Sequence, residues 1–150
     1  MESQLLTVKI GPYLWGAPVT HVTEILASPG VTPIPQTPPA IAGVAVIRGQ
    51  ALTVLTLRPM LNLASDAVGM ALRWGSQRGS FLVAVDQVEG LWAPTEPMHE
   101  ERWSGLVSPA VAPLVKAAYR WDSEWLWEWI ADMPDRLHAG LLTDPMLADR

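Results

Sequence analysis

Apolar and polar residues alternate along this chain in short stretches, each ended by Gly or Pro. Leu6, Val8 and Ile10 alternate with Thr7 and Lys9, which predicts a half-buried strand ending at the Gly11-Pro12 turn. Tyr13 to Ala17 reads as the returning strand of a hairpin, stopped by Pro18. Val19, Val22, Ile25 and Leu26 follow helical spacing but lie between Pro18 and Pro29, so they predict one helical turn running into a strand. Prolines at 29, 33, 35, 38 and 39 force the next stretch to be extended or turning. Val31 and Ile34 make it too apolar for a free linker, and it is expected to lie as a strap over a first barrel. Gly43 to Ile47 and Gln50 to Leu57 read as strands, the second with Leu52 and Val54 on one face. Arg58 to Leu63 is expected to form a helical turn.

Ala64 to Gly69 is the best candidate for a boundary between halves. Beyond it, Met70 to Trp74 and Ser80 to Val85 flank a turn at Gly75 to Gly79, predicting a second hairpin. Val88 to Trp92, Val115 to Trp121 and Trp125 to Ile130 add strands, with residues 94 to 112 irregular. Asp132-Met133-Pro134-Asp135 opens a C-terminal helix, with Pro just inside its start and acids in its first turn, and Gly140 is its expected cap. Many short elements broken by turns favour a mainly β fold.

Composition narrows the function. Of 150 residues, 49% are hydrophobic and 17% charged, enough apolar material for a real core. A net charge of -5 lacks the basic footprint of a nucleic-acid binder. With no cysteine, there is no disulfide frame, thiol nucleophile or thiolate metal site. The longest apolar run, Ala40 to Ile47, falls well short of the roughly 20 residues a membrane helix needs. Met1-Glu2-Ser3-Gln4 has no basic stretch, so no secretory signal is expected and the cytoplasm is the default compartment. His21, His99 and His138 stand in no metal-binding frame, and His99-Glu100-Glu101 reads as solvated surface. Nucleophile elbow, Walker loop and dinucleotide fingerprint are all missing. The expectation is no enzyme, no cofactor and no metal, although carboxylates paired only in space are not readable here.

Two features remain. Residues 1 to 68 carry only three bases, Lys9, Arg48 and Arg58, and three acids, Glu2, Glu24 and Asp66. Glu24 and Arg48 each lie beside apolar segments, so they either bridge each other or contact a partner directly. Trp125, Trp127 and Trp129 share one strand face by period two, opposite Leu126, Glu128 and Ile130. That stripe is either the packing of a small barrel or an exposed recognition surface.

The order of segments between residues 5 and 63 resembles a CheW-like domain. Val22-Thr23-Glu24-Ile25 is similar to the family's V-x-E-I segment, and Val31-Thr32-Pro33-Ile34-Pro35 with Thr37-Pro38-Pro39 to its proline stretch. Gly43-Val44-Ala45-Val46-Ile47-Arg48-Gly49 and Val54-Leu55-Thr56-Leu57-Arg58 resemble its G-V-x-N-x-R-G strand and the following strand ending in L-R. Val46 stands where the family pattern has Asn, and Asp86-Gln87 where it has an Asp-Gly turn. The resemblance implies two five-stranded β-barrels packed together, about 14–66 and 67–133, with a short helix at about 134–140 and an N-terminal strand free to join either. It implies an adaptor that bridges a CheA-like histidine kinase regulatory domain and the cytoplasmic tip of chemoreceptors, recruited to membrane-associated arrays in chemotaxis, pilus motility or another chemosensory-like pathway. Val22, Glu24, Arg48 and Gly49 are its implied partner-binding positions. Gly43, Pro33 and Pro35 are implied structural positions, with Gly43 and Gly49 allowing tight turns around the strand between them.

Overall fold

The computed structural model describes residues 4–142, with side chains through residue 139. Ten strands build two five-stranded sheets. One, the terminal sheet, takes strands from both ends of the chain: β1 (Leu5–Ile10), β2 (Tyr13–Pro18), β8 (Gln87–Trp92), β9 (Val115–Trp121) and β10 (Glu124–Trp129), in the order β8-β1-β2-β10-β9. The other, the central sheet, holds β3 (Val22–Ala27), β4 (Ile41–Ile47), β5 (Gln50–Leu55), β6 (Met70–Ser76) and β7 (Gly79–Val85), in the order β3-β6-β7-β5-β4. Neighbours are antiparallel except β2 with β10 and β5 with β7. Among the described residues two α-helices join them, α1 (Glu100–Trp103) and α2 (Met133–Leu142), along with short 3-10 turns.

The sheets divide the chain differently from the expected 14–66 and 67–133. The loop at 64–69 joins β5 to β6, and both lie in the central sheet. The chain passes between sheets after β2, through a 3-10 turn at Val19–His21, and again between β7 and β8. Turn residues mark where a loop falls, but which strands it separates depends on pairing partners far away in sequence.

Alternation along the strands fills three cores. Leu5, Leu14, Tyr119 and Leu126 point into the curl of the terminal sheet. Ala45, Leu52, Val54, Ala71 and Leu82 fill the central sheet. The largest core lies between the sheets and takes the opposite face of the same strands: Leu6, Val8, Ile10, Trp15, Trp127 and Trp129 from one side, Leu55, Leu72, Trp74, Val83 and Val85 from the other. β1 is therefore buried on both faces rather than half-buried, and even Thr7 is enclosed, its hydroxyl donating to the Gly90 carbonyl at 2.9 Å. In α2, Met133 and Leu137 drop into the inter-sheet core. Asp135 in its first turn accepts from the Ser76 hydroxyl at 2.9 Å. Gly140 does not cap this helix, which continues to Leu142.

Residues 28–40 form the predicted strap. Its ladder contact is a two-way bridge between Thr32 and Val44 of β4. A Cβ on Gly43 would meet the Thr32 carbonyl, so Gly43 serves the close approach of the strap rather than a turn.

Candidate partner-binding face

β3 and β4 are the two edges of the central sheet, and no ladder joins them. An ion pair crosses between them, and behind it Leu26 of β3 and Ile47 of β4 pack on the central core. β4 and β5 are connected by the two residues Arg48 and Gly49, with Ile47 opposite Gln50. Both have positive φ, 50° and 82°, the conformation of a type I′ hairpin turn. Glycine takes this shape freely, whereas arginine does so under some strain. The turn aims the Arg48 guanidinium at β3. Nη1 donates to Glu24 Oε2 at 2.7 Å and Nη2 to Oε1 at 2.6 Å, a bidentate pair. On β3, a bulge between Val22 and Glu24 brings Glu24 opposite Arg73 of β6. The Arg73 Nη1 lies 3.7 Å from Glu24 Oε1, and its Nη2 donates to Gln50 Oε1 at 2.8 Å.

Hydrogen bonding from Arg48 lowers the Glu24 pKa, against some desolvation and with help from the charges of Arg48 and Arg73. The same pairing raises the Arg48 pKa, so both groups are charged across the neutral range. The Arg48 side chain is 64% exposed. Glu24 occupies two of its five N–H donors.

Of the sequence-predicted site residues, Glu24, Arg48 and Gly49 come together at this seam. Val22 does not join them: it is half-buried and packs against the inter-sheet core beside its pairing partner Trp74. Pro33 and Pro35 lie exposed on the strap, past the Thr32 bridge. Arg73 and Gln50 were not singled out from sequence. Each reads locally as one polar residue in an alternating strand; the pairing of β3 with β6 brings in Arg73, and the Arg73 hydrogen bond to Gln50 of β5 brings in the other.

Packing claims the Trp stripe. Trp129 is fully buried, stacked on Trp15 at 5.0 Å and edge-on to Trp74 at 5.9 Å. Trp127 is buried against Trp103 of α1. Trp125 is half-buried, stacked on Trp127 at 5.5 Å, with the Arg120 guanidinium 4.9 Å from its ring centre. On the opposite face Glu128 is also buried, accepting a 2.8 Å hydrogen bond from the Tyr119 hydroxyl, with Lys116 Nζ at 3.7 Å. Burial, then the hydrogen bond and charge of Glu128, push the Tyr119 pKa above the ordinary phenol range.

The comparisons with known proteins agree with this architecture. A family model of the CheW-like domain matches residues 4–130. The chain belongs to the CheW-like domain family. Proteins of this family are scaffolds and adaptors, not enzymes. Protein FrzA of Myxococcus xanthus is 33% identical over 93 residues, covering 60% of this chain and 58% of FrzA. The crystal structure of the scaffolding protein TtCheW from Thermoanaerobacter tengcongensis superposes with a TM-score of 0.71 at 18% identity, covering 87% of this chain and 85% of TtCheW. At that identity the likeness to TtCheW is one of fold. In this CheW-like domain Glu24 and Arg48, from segments well separated in sequence, meet at one seam.

Proposed function

We propose that this CheW-like protein couples chemoreceptors to a CheA-type histidine kinase in a bacterial chemosensory array. It binds the kinase's regulatory domain and the receptor's cytoplasmic tip. The observation that carries the reading is the charged seam of Glu24, Arg48 and Arg73, held on a β body whose sheets share one large core. Arg48 keeps a left-handed backbone that glycine would adopt without strain, while most of its side chain faces solvent. Strain retained at an exposed charged residue favours a contact role over a purely structural one. A scaffold works through the placement of two partners, which requires stiffness and adhesive faces but no reacting group. No described helix is long and apolar enough to cross a membrane, so on this reading the protein reaches a membrane array from the cytoplasm through its partners.

Co-sedimentation with receptor-tip fragments and the regulatory domain of a CheA-like kinase from the same source tests the proposal. Wild type is expected to join both in one pellet. Arg48→Gly preserves the turn and is expected to melt like wild type while losing a partner. A wild-type protein that binds neither fragment rejects the coupling role.

A further inference from the structure

β4 has the sequence IAGVAVI, with no charge and no proline. Short uncharged segments rich in β-branched residues pair readily with copies of themselves. β4 is also a sheet edge, where natural proteins place charge or proline to block such pairing. The terminal sheet follows that rule: its edge strand β9 exposes Lys116 and Arg120. β4 carries no such block within itself.

The hairpin register shows which backbone groups of β4 face outward. Ile47 and Gln50 close a two-residue turn as a hydrogen-bonded pair, so Ala45 bonds inward to Leu52. Val44 and Val46 therefore direct their N–H and C=O groups away from β5. Those of Val44 are taken by the strap: Thr32 N–H donates to the Val44 carbonyl at 2.8 Å, and Val44 N–H to the Thr32 carbonyl at 2.9 Å. Among the described residues those of Val46 have no backbone partner, and Val46 is 64% exposed. Past Val46, the Arg48–Glu24 pair crosses the end of the same edge. The strap caps the edge without offering a new one, because Pro33 and Pro35, which follow Thr32, have no N–H to extend the ladder.

We propose that the strap and the Glu24–Arg48 pair together guard the β4 edge, and that their release lets β4 pair with β4 of a second copy of this chain. The outward groups fit a two-fold antiparallel register centred on Ala45. Val44 of one copy then lies opposite Val46 of the other in hydrogen-bonded pairs, with Ala45 facing Ala45. Arg48 falls opposite Ala42 in that register, so no like charges meet. The strap and the second copy compete for the same Val44 groups, so a closed guard keeps the chain monomeric. This inference holds whichever partners the adaptor serves.

Light scattering on a concentration series, with amide hydrogen exchange, tests it on the full chain. Wild type is expected to be monomeric, with the Val44 amide protected and the Val46 amide exchanging freely. Gly43→Ala drives a methyl into the Thr32 carbonyl and lifts the strap, while Arg48→Gly removes the pair but keeps the turn. The combined variant is expected to dimerise with rising concentration and to gain protection at Val46. Adding Val46→Lys is expected to return it to monomer. If Gly43→Ala does not fold, Thr32→Pro deletes the strap's donor without touching β4 and should give the same dimer with Arg48→Gly. A folded variant with an unprotected Val44 amide that stays monomeric throughout overturns the proposal. So does a dimer indifferent to Val46→Lys, or a wild type that already pairs through this edge.

Discussion

The two sheets leave the same gap in their ladders and close it with opposite chemistry. In the terminal sheet, β8 and β9 meet through aromatic rings: Trp92 is edge-on to Tyr119 at 5.4 Å and 6.3 Å from Trp121. In the central sheet, β3 and β4 meet through Glu24, Arg48 and the proline strap. The interiors follow suit. The terminal curl is filled by Leu5, Leu14, Tyr119 and Leu126, the central one by smaller aliphatic side chains such as Ala45, Val54 and Ala71. Aromatic contact buries large area and is insensitive to salt. An exposed ion pair adds little stability and weakens with salt, but it displays charged donors to solvent. One seam is closed by buried packing, the other by an exposed ion pair and a strap.

The sharpest way to break this contrast is to remove an aromatic that both sheets share. Trp129→Ala should cost about 3–5 kcal/mol in urea unfolding, the range for a large aromatic removed from a tight core. Trp129→Phe should cost less, because the indole N–H it deletes is buried without a partner. The next largest effect lies inside the terminal curl. Glu128→Ala should cost about 1–3 kcal/mol by leaving the buried Tyr119 hydroxyl without an acceptor. Glu128→Gln keeps an acceptor and should lose less by the same measurement.

High pH gives a smaller and conditional effect. The folded Tyr119 pKa stands above its unfolded value, so its contribution is complete below about pH 10 and declines as pH rises past that point. Ultraviolet titration should show this phenol ionising only as the protein unfolds, and Tyr119→Phe should remove that part of the alkaline stability loss. The polar seam should move least. Glu24 has a lowered pKa, so its small contribution is present above the ordinary carboxylate range and fades as pH falls through the folded value. A double-mutant cycle of Glu24→Gln and Arg48→Gly should give a weak coupling that shrinks further as salt rises. A coupling as large as the Trp129 effect would erase the contrast between the seams.

Much of this was legible along the chain. Period-two alternation and the Gly and Pro breaks locate nearly every strand, because they act through neighbouring residues alone. Five prolines mark the strap for the same reason. A hairpin links strands only two residues apart, so the tight Arg48-Gly49 turn also lies within local reach. The Glu24–Arg48 bridge was one of two readings, and it forms because the fold brings both edges of the central sheet together, while leaving Arg48 exposed beside it.

What the sequence determined by itself was the set of short β elements, the strap and a pair of isolated charges worth watching. Tertiary structure decided which sheet each strand joined, that β1 and β10 are buried on both faces, and that Glu128 lies inside while Arg48 stays out. The reason is physical. Alternation tells a residue which side of its strand it occupies, but whether that side meets water, a curled interior or another sheet depends on partners remote in sequence.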